Sequence, residues 1–342
     1  MRKPHFYQLV SFIIILGLAF SGGCSKKNGP TESTAPAKVQ TYAVSVTVLN
    51  PLGNPQGGAT VSLVNPPYPT GTYPDQPFDA TTDTSGKATI QSPVGSQTIT
   101  AKIGTLFQAT TTVNVTASTT PIIAGQVRLT QNSTMKVLVV QADCEQLEDV
   151  LTAIGFTSFD LTYIDSLRDR ANNDSVATLT YLKKYSYVFS DCDCSTEQEA
   201  PYAALSRVYG RYVAAGGKMY GGHYNYYHLQ RIWSPYYTVG YSGSVTGYAD
   251  SIKILNTALA TAAGFKVTAW ATSESLSGYE LFNNIPSTST VYAVLENSSP
   301  QAAVIVVNVT GSGKYVWTNY HNQDVEGNRQ LLKLIQYFLW SM

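Results

Sequence analysis

The sequence of 342 residues predicts two folded domains of different class, an all-β sandwich followed by an α/β sandwich of three layers. Between residues 41 and 131, short segments of alternating apolar and polar residues are separated by turn residues. Such segments are typical of antiparallel strands with one buried face. From residue 132, nearly continuous apolar segments alternate with segments of helical periodicity. That alternation predicts a mostly parallel sheet covered by helices on both faces.

The first 24 residues have the pattern of a secretory signal, a positively charged start followed by an apolar segment too short to span a membrane. Small residues before Cys24 resemble a bacterial lipobox. The resemblance implies that residues 1–24 are a lipoprotein signal peptide, with Cys24 acylated and the membrane as partner. Ser21 stands where leucine is usual, so plain cleavage between residues 19 and 23 is the alternative. With either cleavage, we expect an exported protein.

Residues 25–40 are polar, contain proline and lack apolar periodicity, which predicts a flexible linker. Lys26 and Lys27 follow Cys24 where aspartate would favour inner-membrane retention, so we expect the outer membrane or cell surface. The 22 basic and 22 acidic residues give no net charge. This balance argues against nucleic acid as a partner, because phosphate binding requires clustered lysine and arginine.

The first domain is predicted to contain a series of strands, at residues 42–49, 59–64, 88–91, 97–103, 109–115 and 122–129. The order VSVTVLNPLGNPQGGATVSLV and then TTDTSGKATIQSPVGSQTITAKIG resembles the carboxypeptidase regulatory-like domain. The resemblance implies a prealbumin-like β-sandwich over residues 41–131. Related folds include carbohydrate-binding modules, so glycan binding is one role and a rigid spacer is the other. Tyr68 and Tyr73, in a proline-rich insertion, are the candidate sugar-stacking residues.

The second domain, residues 132–342, is predicted to be a flavodoxin-like three-layer sandwich. Its predicted strands and helices alternate, with strands at 136–140, 159–164, 185–190, 218–220 and 315–319 and helices at 145–154, 175–184, 200–215 and 329–339. Gly155 and Gly216 follow predicted helices and are expected to end them. Ligands of such sheets bind beyond the carboxyl ends of the strands.

A strand that runs into Gly221-Gly222-His223 resembles the nucleophile elbow, a sharp turn that projects one side chain over the sheet. With this elbow, the domain resembles the class I glutamine amidotransferase-like superfamily, which includes trehalose-utilisation-type proteins. The resemblance places His223 at the position of the family's nucleophilic cysteine, His321 at the base and Gln323 at the acidic residue. An imidazole cannot form the required thioester, and an amide cannot hold a histidinium. The triad is therefore degenerate, and the sequence favours a protein that is not an enzyme.

Three cysteines follow the first and third predicted strands, which are neighbours in this topology. A disulfide from Cys144 to Cys192 or Cys194 is expected in an exported protein, with the third cysteine left as a thiol. The alternative is a zinc site, because these cysteines could converge with His223 and His321. Otherwise no cofactor is expected.

Aromatic residues follow the elbow and are candidate ligand-binding residues. Tyr224, Tyr226 and Tyr227 combine stacking rings with hydroxyl groups, and His228 follows them. The alternative for the tyrosines is that they only cover a half-buried, hydrated surface and bind no ligand. The alternative for His228 is a hydrogen-bonded position at the surface.

These observations predict an exported, lipid-anchored, non-catalytic protein for binding or assembly at the cell envelope. A glycan or an envelope protein is the expected partner. One alternative is a glycan- or peptide-directed hydrolase that uses His321, with Asp193 or His223 as its partner. A second alternative is a metal-binding sensor.

Overall fold

The structure is a computed structural model that describes residues 36–193, 202–243, 251–259, 270–271, 279–295, 303–319 and 329–341. The signal sequence with Cys24, and also Cys194, His321 and Gln323, lie outside the described residues. Lys38–Met342 forms one compact unit. In the described part of the chain, every helix is too short or too polar to cross a membrane.

The N-terminal part contains two sheets, with strand orders β4-β1-β7 and β3-β2-β5-β6-β8. Their strands are β1 (Thr41–Leu49), β2 (Thr60–Leu63), β3 (Asp79–Thr81), β4 (Lys87–Pro93), β5 (Gly95–Ile103), β6 (Phe107–Val115), β7 (Ile122–Arg128) and β8 (Thr130–Gln131). Each of the predicted strands is present. The alternation of apolar and polar residues in β1 arises because one face of the strand is buried. Val44, Val46 and Val48 lie on that face and are fully buried.

The turn between β3 and β4 is fixed by one carboxylate. The Oδ1 atom of Asp83 accepts hydrogen bonds from the backbone amides of Ser85 at 2.8 Å and Lys87 at 3.0 Å. Gly86 follows with a φ of +75°, and a Cβ there would lie 2.5 Å from the carbonyl oxygen of Val48. The segment Asp83-Thr84-Ser85-Gly86 therefore forms the tight turn that its aspartate and glycine favour.

The proline-rich insertion does not present both of its tyrosines. Tyr68 is only 4% exposed, and its ring packs 4.8 Å from the ring of Tyr73 and 4.9 Å from that of Phe78. The prediction of Tyr68 as a sugar-stacking residue is wrong, because the insertion folds back and adds this ring to the core.

The C-terminal part has one sheet of eleven strands and helices packed against it. Its strands are β9 (Val137–Gln141), β10 (Asp160–Tyr163), β11 (Tyr187–Ser190), β12 (Lys218–Gly222), β13 (Thr238–Gly243), β14 (Ser251–Ile254), β15 (Trp270–Ala271), β16 (Tyr279–Asn284), β17 (Ser289–Leu295), β18 (Ala303–Thr310) and β19 (Gly313–Thr318). Its described α-helices are α1 (Leu147–Ala153), α2 (Ile164–Asn173), α3 (Ser175–Leu182), α4 (Ala203–Ala214), α5 (Tyr226–Ile232) and α6 (Arg329–Ser341).

The sheet is mixed rather than mostly parallel. Strands β10, β9, β11, β12 and β19 pair in parallel in that order. From β19 the sheet continues through β18, β17, β14 and β15 in antiparallel pairing, and β13 and β16 join beside β18. The prediction of a mostly parallel sheet is therefore correct for one half only. The described residues between 238 and 310 contribute six strands to the sheet, β13 to β18, all of which pair in antiparallel.

Helix α2 was not predicted, because most of its residues are polar. Only Ile164, Leu167 and Ala171 are buried, and they provide a narrow apolar stripe. Asp174 then separates α2 from α3, and its Oδ1 atom accepts from the amides of Val176 and Ala177, both at 2.9 Å. This aspartate caps the amino terminus of α3 and allows two short helices where one was expected.

The two parts share one hydrophobic core. The rings of Phe107 and Phe156 lie 5.0 Å apart in an edge-to-face contact across the junction. The Gln131 side-chain oxygen accepts from the backbone amides of Thr157 and Ser158, both at 2.9 Å. Residues on both sides of the predicted domain boundary, at residues 131 and 132, therefore pack against each other. The division into two domains stays a prediction.

We expect the junction to be sensitive to one methyl group. Gly155 ends α1 with a φ of +100°, and a Cβ there would lie 2.2 Å from the Cβ of Pro51 in the N-terminal part. Gly53 has a φ of +88° and open space around it. Gly155→Ala should therefore reduce the free energy of unfolding by about 1–3 kcal/mol more than Gly53→Ala, since both carry backbone strain but only one adds a clash.

Urea unfolding of the two variants and the unchanged protein measures this difference. Equal losses in both variants would contradict a tight contact between the two parts.

Candidate functional site

Four parallel strands bring their carboxyl ends to one edge of the sheet. The register pairs Ser190 of β11 with Val140 of β9 and with Gly221 of β12, and Gly222 with Thr318 of β19. The segments that follow these strands therefore lie side by side. This carboxyl edge is the expected ligand position in a parallel sheet.

The elbow predicted after β12 is present. The strand ends at Gly222, His223–Asn225 form one 3₁₀ turn, and α5 begins at Tyr226. His223 has a φ of +21°, at the margin of the left-handed region that residues other than glycine rarely enter. The indole Nε1 of Trp317 in β19 donates to the His223 carbonyl oxygen at 3.0 Å and holds this turn against the neighbouring strand.

Both glycines before His223 are required by close packing. A Cβ on Gly221 would lie 2.8 Å from the Cβ of Asn225, and a Cβ on Gly222 would lie 2.6 Å from a carboxylate oxygen of Glu145. The elbow can approach the first loop this closely only because these positions lack side chains.

The side chain of His223 points into the protein. It is 4% exposed, and its Nδ1 lies 3.6 Å from the Sγ of Cys192. Burial raises the pKa of the Cys192 thiol far above its ordinary range, and the nearby Glu145 carboxylate raises it further. In this environment the sulfur is a protonated thiol at neutral pH, which is a poor nucleophile.

Cys144 is disulfide-bonded, whereas Cys192 is a buried thiol. The predicted pairing of Cys144 with Cys192 is therefore wrong, because the Cys192 sulfur lies beneath the elbow next to His223. The other predicted partner, Cys194, lies outside the described residues. Within the described residues, no three or more histidine, cysteine, aspartate and glutamate side chains are grouped as a metal site would require.

A small cavity lies between the elbow, the segment after β11, helices α2 and α5, and Tyr202 at the start of α4. It leaves about 10 Å³ for the centre of a water-sized group, which is room for one such group. Its lining contains two acidic side chains, three tyrosines and three other residues: Asp191, Asp193, Tyr202, Tyr224, Tyr227, Ile164, Asn225 and His228.

Of the predicted ligand-binding residues, Tyr224, Tyr227 and His228 line this cavity, and Tyr226 does not. Tyr226 is 2% exposed and packs against Tyr227, with ring centres 4.0 Å apart. It is a core residue, so its predicted role in ligand binding is not supported. His228 is 4% exposed, which corrects the alternative that it lies at the surface.

His228 is neutral and hydrogen-bonded. Burial lowers its pKa to about 3, and the Arg231 charge lowers it further. Its Nδ1 lies 2.8 Å from the hydroxyl of Ser206, which itself donates to the Tyr202 carbonyl oxygen at 3.0 Å. The tautomer of the ring decides which of Nδ1 and the Ser206 hydroxyl donates in this hydrogen bond.

Asp191 is a carboxyl group in an unusual state. Its oxygens accept from the backbone amides of Leu147 at 3.1 Å and Ala142 at 3.3 Å. Burial and the neighbouring carboxylates of Glu145 and Glu148 nevertheless raise its pKa to about 9. Asp191 directly follows β11, so it lies at the carboxyl edge of the sheet.

Asn225 is held in one orientation by three hydrogen bonds. Its Nδ2 donates to the carbonyl oxygens of Ser190 at 3.1 Å, Asp191 at 2.9 Å and Gly222 at 3.0 Å. Its Oδ1 is buried, and the described residues provide no hydrogen-bond partner for it. Sequence reasoning missed Asn225 and also Tyr202, whose hydroxyl donates to Asp193 at 2.7 Å. Asn225 follows the elbow directly and could have been found from that position, whereas Tyr202 gives no such signal.

No family model and no curated protein matches this chain. Solved structures that resemble it include a β-galactosidase from Rahnella sp. R3, at 12% identity and a TM-score of 0.38, which covers 62% of this chain. A cytoplasmic protein from Salmonella typhimurium matches at 10% identity and a TM-score of 0.39. The match covers 60% of this chain and 98% of the Salmonella protein. The glutaminase domain of Trypanosoma brucei CTPS with bound acivicin matches at 11% identity and a TM-score of 0.40. The match covers 60% of this chain and 94% of the glutaminase domain.

This chain spans 31% of the length of the Rahnella β-galactosidase. The neighbours thus include a glutaminase domain and glycosidases. Their identities and TM-scores are too low to assign an activity or a ligand to this chain.

We expect Asp191 to make stability depend on pH in a defined direction. Its pKa is about 9 in the folded state and ~4 in an unfolded chain. Between these values the folded state binds more protons, so stability falls as pH rises. Asp191→Asn mimics the protonated carboxyl without titrating, and from pH 5 to 8 it should gain up to ~1.4 kcal/mol per pH unit relative to the unchanged protein.

Urea unfolding of both proteins at each pH gives the difference, in which the contributions of other titrating groups cancel. Parallel stability curves would show that Asp191 titrates normally.

Proposed function

We propose that the protein is an exported, lipid-anchored binding protein of the cell envelope, without catalytic activity, and that its ligand binds at the carboxyl edge of the sheet. One observation carries this proposal. His223 stands at the elbow with a φ of +21°, at the margin of the left-handed region, yet its imidazole is buried against the Cys192 thiol. The arrangement preserves the shape of a site without its nucleophile.

The fold supports a distant relationship to the two families that the sequence resembles. Two sheets around a common core suit the carboxypeptidase regulatory-like β-sandwich. Five parallel strands with an elbow after β12 suit the amidotransferase-like class, and we propose that the antiparallel half of the sheet is an addition specific to this chain.

A carbohydrate is the ligand class that we favour. The rings of Tyr224 and Tyr227 are nearly parallel, 16° apart with centres separated by 6.3 Å, and both are partly exposed at the cavity. Aromatic rings next to carboxylates are suited to sugars, because the rings contact apolar ring faces and the carboxylates accept from hydroxyl groups.

Replacement of one tyrosine at the cavity should weaken ligand binding. We expect Tyr227→Ala to weaken the binding of a glycan from the envelope by about tenfold through loss of stacking. Tyr163→Ala is the matched control, because Tyr163 is 64% exposed at the end of the edge strand β10. A glycan array followed by calorimetry with the best ligand measures both affinities.

Unchanged affinity in Tyr227→Ala would place the ligand elsewhere on the protein. Hydrolysis of the glycan that is abolished in His321→Ala would instead establish the hydrolase. Bound zinc in elemental analysis would establish the metal sensor.

The lipid anchor has its own test. Cys24→Ser should abolish incorporation of radiolabelled palmitate and release the protein from the membrane fraction, because the serine hydroxyl cannot replace the acylated thiol. Continued labelling of Cys24→Ser would contradict the anchor and leave the binding proposal intact.

A further inference from the structure

The strands of the N-terminal part have two common ends, and the predicted linker joins the fold at one of them. β1 begins there at Thr41, which pairs with Pro93 at the end of β4. β5 begins after that turn, and its first residue, Gly95, pairs with Val115 at the end of β6. β2 ends and β7 begins at the same end, as their pairing with β5 and β1 requires. We call this the linker end, and its loops comprise residues 36–40, 64–78, 93–95 and 116–121.

The opposite end of the sandwich carries the C-terminal part, at the amino edge of the large sheet. The Thr105 hydroxyl lies there, 2.5 Å from the hydroxyl of Tyr187, which is the first residue of β11. A Cβ on the adjacent Gly104 would lie 2.6 Å from the carbonyl oxygen of Trp340, near the end of α6. The carboxyl edge, at the other end of the parallel strands, therefore lies on the side away from the sandwich.

Exposed apolar side chains are concentrated at the linker end. Among the described residues of the N-terminal part, the exposed large apolar side chains are Val39, Leu52, Val64, Val94 and Ile123. Val39, Val64 and Val94 belong to three different loops of the linker end. Ile123 lies on the strand β7, and Leu52 lies at the opposite end. Exposed apolar side chains that several loops present at one end are suited to an apolar partner.

The charges at the linker end cancel. The charged residues of its loops are Lys38 and Asp75, and their side chains form an ion pair. The Lys38 ammonium also lies 5.6 Å from the centre of the Tyr73 ring. Tyrosine is common at the boundary between lipid headgroups and water, because its ring is apolar and its hydroxyl is polar. The linker end therefore combines apolar side chains and this ring without a net charge.

We propose that the linker end rests on a zwitterionic phospholipid surface. The sequence predicts a flexible linker over residues 25–40, and a flexible chain of the thirteen residues between Cys24 and Lys38 spans about 20 Å. An acylated Cys24 would keep the linker end within this distance of the bilayer, at a high local concentration. A few half-exposed valines do not hold a protein on a membrane by themselves, but they can orient one that is already anchored.

This contact directs the carboxyl edge away from the lipid. β1 alone has nine residues, a length of about 30 Å, and the C-terminal part begins only beyond the opposite end of the sandwich. The ligand site then faces outward from the membrane. The inference rests on the proposed function, because it requires the anchor at Cys24, and it adds the surface that meets the membrane.

The first test places one fluorescent label at a time on the acylated full-length protein. The protein is bound to vesicles of phosphatidylcholine and phosphatidylethanolamine. Val64→Cys and Val94→Cys carry the label at the linker end, Leu52→Cys at the opposite end and Tyr163→Cys at the carboxyl edge. Leu52 and Val64 are matched, because both are 46% exposed.

The native cysteines interfere little with this labelling. Cys192 is fully buried and Cys144 is disulfide-bonded, so the reaction is carried out without reductant. Labelling of the unchanged protein gives the background.

We expect the labels at residues 64 and 94 to shift their emission to the blue and to be quenched by spin-labelled lipid. The labels at residues 52 and 163 should show neither effect. Quenching at residue 163 as strong as at residue 64 would overturn the proposal, because the protein would then lie on its side. Labels at 64 and 94 that stay in water on membrane-bound protein would overturn it too, while the proposed function would stand. Protein that does not bind the vesicles at all would remove both.

The second test changes the apolar contact and keeps the anchor. Val64→Asp, in protein labelled at residue 94, should shift the equilibrium between docked and undocked protein about tenfold towards undocked, because it replaces apolar contact by an unpaired charge. Leu52→Asp is the control and should leave the quenching at residue 94 unchanged. Thermal melting shows whether both variants are folded. Unchanged quenching in a folded Val64→Asp protein would contradict the lipid contact.

Discussion

The close contact of the Gly221-Gly222 backbone with the two loops beside it is the constraint on which the rest of the site depends. The Glu145 side chain, from the loop after β9, and the Asn225 side chain, from the elbow, approach the two glycines where any Cβ would overlap them. This approach places Glu145 and Asn225 where they contact the backbone after β11. The cavity, the raised pKa of Asp191 and the buried position of His223 all follow from loops packed this closely around one turn.

The local fold was largely predictable where periodicity and turn chemistry agree. Two examples are the buried valines at alternate positions in β1 and the aspartate–glycine turn at Asp83. Both features depend only on residues that are close together in the sequence. The antiparallel half of the large sheet was not predictable in this way. Its strands are stabilised by pairing with distant segments, such as Val307 with Val316, and a single sequence does not reveal which strands pair.

The site was predictable in position but not in chemistry. The order of strands and the Gly-Gly-His turn placed His223, Tyr224 and Asp193 at one edge of the sheet. The chemistry of the individual side chains depends on burial, which keeps Cys192 and His228 neutral and places Tyr226 in the core. Burial of one side chain depends on all elements packed against it, and for His228 these include α4, which begins 25 residues earlier at Ala203 and contributes Ser206 and Tyr209. Spacing along the sequence does not contain that information.

The shared core of the two parts has a consequence for how the molecule responds to damage. Phe156, at the end of α1, contacts Phe107 of the N-terminal part on one side and Phe189 of β11 on the other. Phe189 comes two residues before Asp191 in the cavity wall. Packed rings therefore connect the junction to the wall of the proposed ligand site. Because the N-terminal part packs against the elements that hold this wall, its folding and the shape of the cavity depend on each other.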